Sequence, residues 1–309
     1  MASSPEEYVW IDGELTPWDQ ATVHISHLGW STVAAVFDSI NAYWNPAHRQ
    51  LYALQLVQHL DRLRQSMKMM RLQTDLTPED LSNGALELLR ANGYRRDCRV
   101  RPVSYQPDAD WFGTWTESRT SIFMTTEARK SWLNRPIGVR AGVSSWTRIS
   151  DNSMSPRVKG ISNYQNSRLA LLEANLRGYD QPIILNAAGK VAESATACVF
   201  IIREGRLITP SVTSGILESI TRGSVIRLAT ELLDLPVQER EVDRTEMYVA
   251  DEMFLCGTNA EIRPVISIDD YQVGDGVMGS ITQRLADLFG ALVRGDDSRF
   301  PEWRRPVYA

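Results

Sequence analysis

Cysteine and histidine are scarce in this chain. Its 309 residues hold three cysteines, Cys98, Cys198 and Cys256, odd in number and widely spaced. No disulfide framework is expected, and a reducing, cytoplasmic compartment is the simplest reading. The four histidines (His24, His27, His48 and His59) form no HExxH pattern and no Cys/His cluster, so no dedicated metal site is expected. Positive charge is not in excess either. The 33 Lys and Arg against 38 Asp and Glu give a net charge of −5 and a pI near 5.5. A nucleic-acid partner needs clustered cations to neutralise phosphates, so none is expected. No apolar run approaches the roughly 20 residues that span a bilayer, so no membrane partner is expected. The start, MASSPEEYVW, lacks the basic-then-apolar order of a secretion signal. What is present is ordinary for a globular chain: 43% hydrophobic and 23% charged residues. The length suits two domains at about 150 residues each. This composition fits an enzyme of small molecules and does not choose the reaction.

Local patterns divide the chain. Tyr8–Leu15 reads as a hairpin, because Asp12-Gly13 supplies the positive φ angles of a tight turn. A strand is expected over Val33–Tyr43 and a helix over Ala53–Met70, where Leu56, Leu60, Leu63 and Met67 recur at helical spacing. Thr77-Pro78-Glu79-Asp80 is a helix start, with a capping Thr, Pro in the first turn and acids at the positive end. Strands follow over Cys98–Tyr105 and Ser121–Thr126. Residues 1–126 thus read as a small α+β domain. The polar, basic, proline-closed stretch 127–136 reads as an interdomain linker. Residues 137–309 read as a larger domain of short strands (Gly138–Ser144, Pro182–Leu185, Thr196–Ile202, Arg206–Thr209, Glu252–Cys256) with helices over 161–177, 219–233 and 280–293. The tail from Arg294 is polar and reads as loosely packed.

Two segments compete as chemical sites. Gly274-Asp275-Gly276-Val277-Met278-Gly279 matches GxGxxG, the pattern of a nicotinamide- or flavin-dependent oxidoreductase. That use needs a strand after the helix to close a βαβ unit. Here a polar tail follows, so a glycine-rich surface turn is the better account. The second is Lys159-Gly160, which follows a polar loop and precedes a helix. A lone lysine is by default solvated. Three further segments change that. Gly189–Thr196 puts Glu193 at the mouth of an apolar strand. Gly215–Arg222 opens a helix whose first N–H groups and Thr221 suit a phosphate. Gly257–Val265 follows a strand and offers another hydroxyl in Thr258. A lysine, a carboxylate and a phosphate seat are the fixtures pyridoxal phosphate requires.

The ordered set Lys159-Gly160, Glu193, Ile220-Thr221-Arg222, Gly257-Thr258 and Pro264-Val265 resembles the class IV aminotransferases, the fold type IV pyridoxal-phosphate enzymes, and branched-chain aminotransferases among them. Val36-Phe37-Asp38, His59-Leu60-Asp61-Arg62-Leu63, Arg101-Pro102 and Ser144-Ser145-Trp146 extend the likeness over nearly the whole chain. The resemblance implies an α/β fold: a small α+β domain and a larger pseudo-barrel domain with the cofactor in the crevice between them. It implies pyridoxal 5'-phosphate held by Lys159, with Glu193 at the pyridine nitrogen and Tyr164 at the phenolic oxygen. Arg62, Ile220, Thr221 and Thr258 would serve the phosphate, and Leu217 joins them among the cofactor-binding residues. It also implies a homodimer or higher homo-oligomer.

The implied reaction is ping-pong transamination through a Schiff base, between an amino donor with an apolar or branched side chain and a 2-oxo acid acceptor. Arg101 fits the family position for a substrate carboxylate, and Arg99 and Arg129 would join it. Phe37, Thr258 and Asn259 complete the expected substrate contacts, with Trp30 and Trp146 as further candidates for an apolar pocket. Three positions depart from the branched-chain pattern. Arg99 replaces a usual tyrosine, Asn41 a usual arginine, and Arg129 a common tryptophan. An (R)-selective amine or D-amino-acid transaminase on the same scaffold is the alternative. A nicotinamide oxidoreductase and a non-catalytic binding protein stand further off.

Overall fold

Asp12 (φ 47°) and Gly13 (φ 110°) turn the chain between β1 (Tyr8–Ile11) and β2 (Glu14–Pro17), a conformation that glycine adopts without steric cost. The computed structural model describes residues 6–108, 119–133 and 137–308. Contacts divide it into two compact units, Met1–Lys130 with Val158–Ser162 and Leu292–Ala309, and Ser131–Arg157 with Asn163–Ala291.

In the first unit the hairpin is followed by α1 (Leu28–Ser31), β3 (Val36–Phe37), β4 (Ile40–Asn45), β5 (Gln50–Leu54), α2 (Leu56–Met69), α3 (Pro78–Ala91), β6 (Cys98–Tyr105) and β7 (Ser121–Ala128). The strand expected over Val33–Tyr43 is split, because Asp38-Ser39 turns inward between β3 and β4. The expected helix start at Ala53 also moves. Ala53 pairs with Ala42 in the sheet, and Gln55 in a left-handed conformation (φ 47°) switches the chain to α2. The sheet order is β5-β4-β6-β7-β1-β2, with β3 on β6. Strand alternation sends Trp10, Ile40, Ala42, Cys98, Val100 and Met124 into one apolar cluster with Leu60, Leu63, Leu81 and Leu88 of α2 and α3. By register, Phe37, Asn41, Arg99, Arg101, Thr125 and Glu127 fall on the opposite face. That face carries the expected substrate residues of this unit.

The second unit runs β8 (Val139–Thr147), α4 (Tyr164–Leu176), β9 (Gln181–Leu185), β10 (Val191–Ser194), β11 (Cys198–Arg203), β12 (Arg206–Thr209), α5 (Ile220–Leu232), β13 (Val237–Glu239), α6 (Arg244–Tyr248), β14 (Glu252–Gly257), β15 (Glu261–Ile268), β16 (Tyr271–Gln272) and α7 (Ser280–Arg294). The sheet order is β10-β9-β8-β15-β14-β11-β12-β13, and β10 also pairs with β11. Six strands therefore close on themselves, the pseudo-barrel expected from the resemblance. Val199 and Leu255 belong to one apolar cluster, while Phe200 and Phe254, one residue along, stack on the other face at 5.0 Å between centroids.

Of the stretch 127–136, Glu127 and Ala128 end β7, and 134–136 lie outside the described residues. After α7 the tail packs in the first unit, contrary to the expectation of loose packing. Its strand β17 (Arg304–Pro306) pairs antiparallel with β5, and Trp303 and Val307 are buried. Two apolar side chains in a short polar stretch are too few for periodicity to reveal.

Candidate active site

Lys159 is fixed through its backbone in the first unit. Its N–H donates to Ser66 Oγ on α2 (3.2 Å), and its carbonyl accepts from Phe37 N–H on β3 (3.0 Å). The next two residues extend this pairing, with Gly160 bridging Val36 and Ile161 N–H donating to the Ala35 carbonyl (2.9 Å). The side chain places Nζ 4.9 Å from the centroid of the Phe37 ring, a distance at which a cation is attracted to the ring face. A loop lysine is thereby held as firmly as a strand residue.

Next to this segment lies a buried charged cluster, whose pairing the sequence did not announce. Arg62 grips Asp38 side-on, Nε to Oδ2 at 2.9 Å and Nη2 to Oδ1 at 2.9 Å. His59 Nδ1 lies 2.7 Å from Asp38 Oδ1. Asp38 has no exposed surface. Burial alone would raise its pKa, but the Arg62 and His59 charges and hydrogen bonds outweigh it and hold the carboxyl well below its usual range. His59 is pushed below its ordinary value by burial first, with Asp38 opposing and the Arg62 and Lys159 charges assisting. Asp38, His59 and Arg62 lie in segments that carry the family likeness, and the i, i+3 spacing puts His59 and Arg62 on one helix face.

The expected arginines do come together. Arg99 Nη1 lies 3.3 Å and Arg101 Nη2 2.8 Å from the same oxygen, Oε1 of Glu127. Burial, then the neighbouring Arg129, lower the pKa of Arg99. Arg129 N–H donates to the Asp97 carbonyl (3.0 Å). Trp30 sits in the short helix α1.

The second unit holds the other expected residues. Glu193 is buried on β10, just past a bulge in the pairing with β9, a device that re-aims a side chain. Its Oε1 meets Arg148 Nη2 at 2.6 Å, and its Oε2 accepts the Leu217 N–H at 3.2 Å. Arg148 Nε donates in turn to the Gly215 carbonyl (3.1 Å). One ion pair thus ties the acid to the loop that leads into α5. Arg148 was not foreseen; it is remote in sequence from both partners. Ser219 caps α5 by accepting the Arg222 N–H (3.2 Å), and Ile220 and Thr221 form the first turn, where helix N–H groups lack intrahelical acceptors. Tyr164 opens α4. Thr258 and Asn259 lie in the turn between β14 and β15. Behind that turn Glu261 (φ 55°), also unforeseen, accepts from Ser131 Oγ (3.0 Å) and from Trp132 and Leu133 N–H (2.5 and 3.2 Å). Trp146 is exposed on β8.

The GxGxxG segment has no room for a dinucleotide phosphate. Glu252 already occupies the start of α7, its carboxylate accepting Ile281 N–H (3.0 Å) and Thr282 N–H (2.8 Å). A Cβ on Gly279 would collide with the Glu252 side chain, and one on Gly274 would collide with the Asp251 carbonyl. The glycines serve close packing. Among the described residues no group of His, Cys, Asp and Glu could hold a metal ion, and no helix is long and apolar enough to cross a membrane.

The first unit offers a lysine amine, and the second a buried carboxylate fixed by a guanidinium with hydroxyl and N–H donors at a helix start; these are the kinds of group that pyridoxal phosphate requires. Comparison with known proteins agrees. Residues 35–268 match the amino-transferase class IV family. A probable branched-chain-amino-acid aminotransferase of Aquifex aeolicus is 37% identical over 308 residues, covering 100% of this chain and 99% of the relative. The branched-chain amino acid aminotransferase of Thermobaculum terrenum, solved in its PLP form, superposes with a TM-score of 0.97 at 43% identity, covering 99% of this chain and 100% of that one. A T.th. branched-chain amino acid aminotransferase, complexed with N-(5'-phosphopyridoxyl)-L-glutamate, gives a TM-score of 0.91 at 32% identity, covering 98% and 99%. The chain therefore belongs to the class IV aminotransferases, enzymes that work with pyridoxal 5'-phosphate.

Proposed function

We propose that this aminotransferase moves the amino group of a branched-chain or other apolar α-amino acid to a 2-oxo acid, with Lys159 as the group that carries the substrate proton. The observation that supports it most is the fixed Lys159 segment, which aims Nζ at Phe37 on the sheet face that also bears Arg99 and Arg101. The names of the relatives support the choice of donor, and the glutamate adduct of one of them supports 2-oxoglutarate as acceptor.

When bound, pyridoxal phosphate supplies an aldehyde that captures amines and a ring that takes up electrons from carbon. Lys159 Nζ would be the amine that holds the aldehyde in the resting enzyme. When not so engaged, Nζ would serve as the base that takes the proton from the donor's α-carbon and gives it back. The Glu193 carboxylate, held by Arg148, would hold a proton on the ring nitrogen. Ile220, Thr221 and Thr258 offer N–H and hydroxyl donors to phosphate, and the Leu217 segment is steadied by Glu193. In the first unit Arg62, oriented by Asp38, is a planar cation suited to the same anion. Tyr164 would donate to the phenolic oxygen. Arg101, with Arg99 and Arg129, receives the substrate carboxylate, and Phe37, Thr258 and Asn259 border the substrate. We place the enzyme in a reducing, cytoplasmic compartment on the strength of three buried cysteines that form no disulfide. We also take it to be a homodimer; exposed Trp18, Val23, Ile25, Leu28 and Val33, close together in sequence, support a covered face.

Borohydride reduction of the cofactor-loaded protein, followed by peptide mapping, is expected to leave the adduct on Lys159, and Lys159→Ala should abolish turnover. Substantial transamination by that variant rejects the role. With L-leucine, L-glutamate, D-alanine and (R)-1-phenylethylamine as donors, L-leucine should be among the best; activity confined to D-alanine or the amine rejects the donor assignment.

A further inference from the structure

The arginines proposed to receive a carboxylate already hold one. Glu127 stands directly across from Arg99 in the β6–β7 register, and a single oxygen, Oε1, serves both Arg99 (3.3 Å) and Arg101 (2.8 Å). The arrangement copies what an incoming carboxylate would do there. The Glu127 contact with Arg101 is also easily opened, whereas the Arg99 side chain is only 12% exposed. The side chains of Arg101 and Glu127 are 40% and 48% exposed, and an ion pair that open to water shifts an equilibrium by no more than about fivefold. Nothing in the packing demands an acid here, because Glu127 projects from the face opposite the apolar cluster of β6, β7, α2 and α3.

We propose that Glu127 is a built-in competitor for the substrate carboxylate at Arg99 and Arg101, and so tunes the enzyme between amino donors and acceptors that carry carboxylates and amines that carry none. Resting on the transaminase reading above, it adds a specificity-determining residue to it. While Glu127 occupies the pair, every carboxylate substrate must displace it, and a dicarboxylate such as 2-oxoglutarate, which presents two anions to the patch, loses most. An amine without a carboxylate has nothing to displace and meets a site whose cations are partly neutralised.

The test is Glu127→Gln, which keeps shape and removes charge, studied as the cofactor-loaded enzyme. Glutarate should bind the variant more tightly by calorimetry, by up to about fivefold, and the gap should narrow in about 0.5 M salt as screening weakens the Glu127 pair in the parent. The KM for 2-oxoglutarate should fall by a similar factor, whereas the KM for (R)-1-phenylethylamine should not fall. A purely structural Glu127 would instead lower kcat for all substrates alike. Equal glutarate affinity in the two proteins, or weaker binding by the variant, overturns the proposal and leaves the transaminase reading standing. If neither protein transaminates, that reading fails, yet a glutarate affinity that rises in the variant still supports Glu127 as the competitor.

Discussion

At Asp38 a single carboxylate organises the buried cluster next to the Lys159 segment. It has no exposed surface and is bound by Arg62 through two contacts and by His59 through one. Replacing Asp38 by Asn removes the charge under a guanidinium that is itself buried. Losing one member of such a pair costs about 3–5 kcal/mol, which urea unfolding at neutral pH would read as a lowered midpoint. A loss below about 1 kcal/mol would contradict the pairing. The pH dependence follows from the directions of the shifts. Asp38 has a depressed folded pKa, so its contribution is present above the usual carboxylate range and is lost as pH falls through and below it. His59 is also depressed, chiefly by burial. The unfolded chain therefore takes up a proton on His59 before the folded one does, and stability declines as pH drops below 6.5, its ordinary value. Both effects act in the acid direction. The urea midpoint should be lower at pH 5.5 than at 7.5, and His59→Gln should flatten that step; an unchanged step in the variant would remove His59 from the account. Lys159, Glu193 and Thr221 could be singled out in the sequence because each sits beside a local signal, a glycine, a strand mouth or a helix start. Arg148 and Glu261 could not, and Asp38 entered only through the family likeness, because each acts on residues remote in the chain.

Helices with explicit end signals were the most legible elements. Thr77 caps α3 as the Thr-Pro-Glu-Asp order foretold, its Oγ1 accepting the Asp80 N–H at 3.1 Å, and the structure adds the return bond, Asp80 accepting the Thr77 N–H at 2.8 Å. Boundaries between a strand and a following helix were less legible. Ala53 and Leu54 are apolar enough for either state, and only pairing within the sheet assigns them to β5. The same helix α3 holds a constraint hidden from periodicity. Gly84 faces Trp10, and a Cβ there would lie 2.5 Å from Trp10 Cε2. Helix propensity favours Gly84→Ala by about 1 kcal/mol. The indole, however, is 1% exposed in the core, and overpacking costs about 1–3 kcal/mol or more. Gly84→Ala should therefore lower the urea midpoint, and a smaller residue at Trp10 should reduce that penalty in a double-mutant cycle. A stabilised single variant would show that α3 can slide to make room.

The first and last strands of the chain lie in one sheet, and this long-range closure was the part of the fold least visible beforehand. The tail looked polar because Arg299, Arg304 and Arg305 dominate its composition. In the structure Arg304 registers with Leu54 through the antiparallel β17–β5 pair, Gln50 Nε2 donates to the Tyr308 carbonyl (2.7 Å), and Gln50 Oε1 accepts the Tyr308 N–H (2.9 Å). Arg294 at the end of α7 makes a paired contact with Asp97, 2.9 Å from Nη1 to Oδ1 and 2.7 Å from Nη2 to Oδ2. Trp303, at 3% exposure, and Val307, at 0%, are buried on either side of β17. Ending the chain after Arg299 would remove both apolar side chains and uncover β5 as an edge. Burial of a large side chain contributes about 1.5–3 kcal/mol, and an uncovered edge offers a template for pairing between chains. The truncated protein should unfold at lower urea and form larger species in size-exclusion chromatography, whereas Arg305→Ala, which alters an exposed side chain of β17, should change neither. A truncated chain that stays as stable and as small as the parent would show that β17 decorates the sheet without holding it.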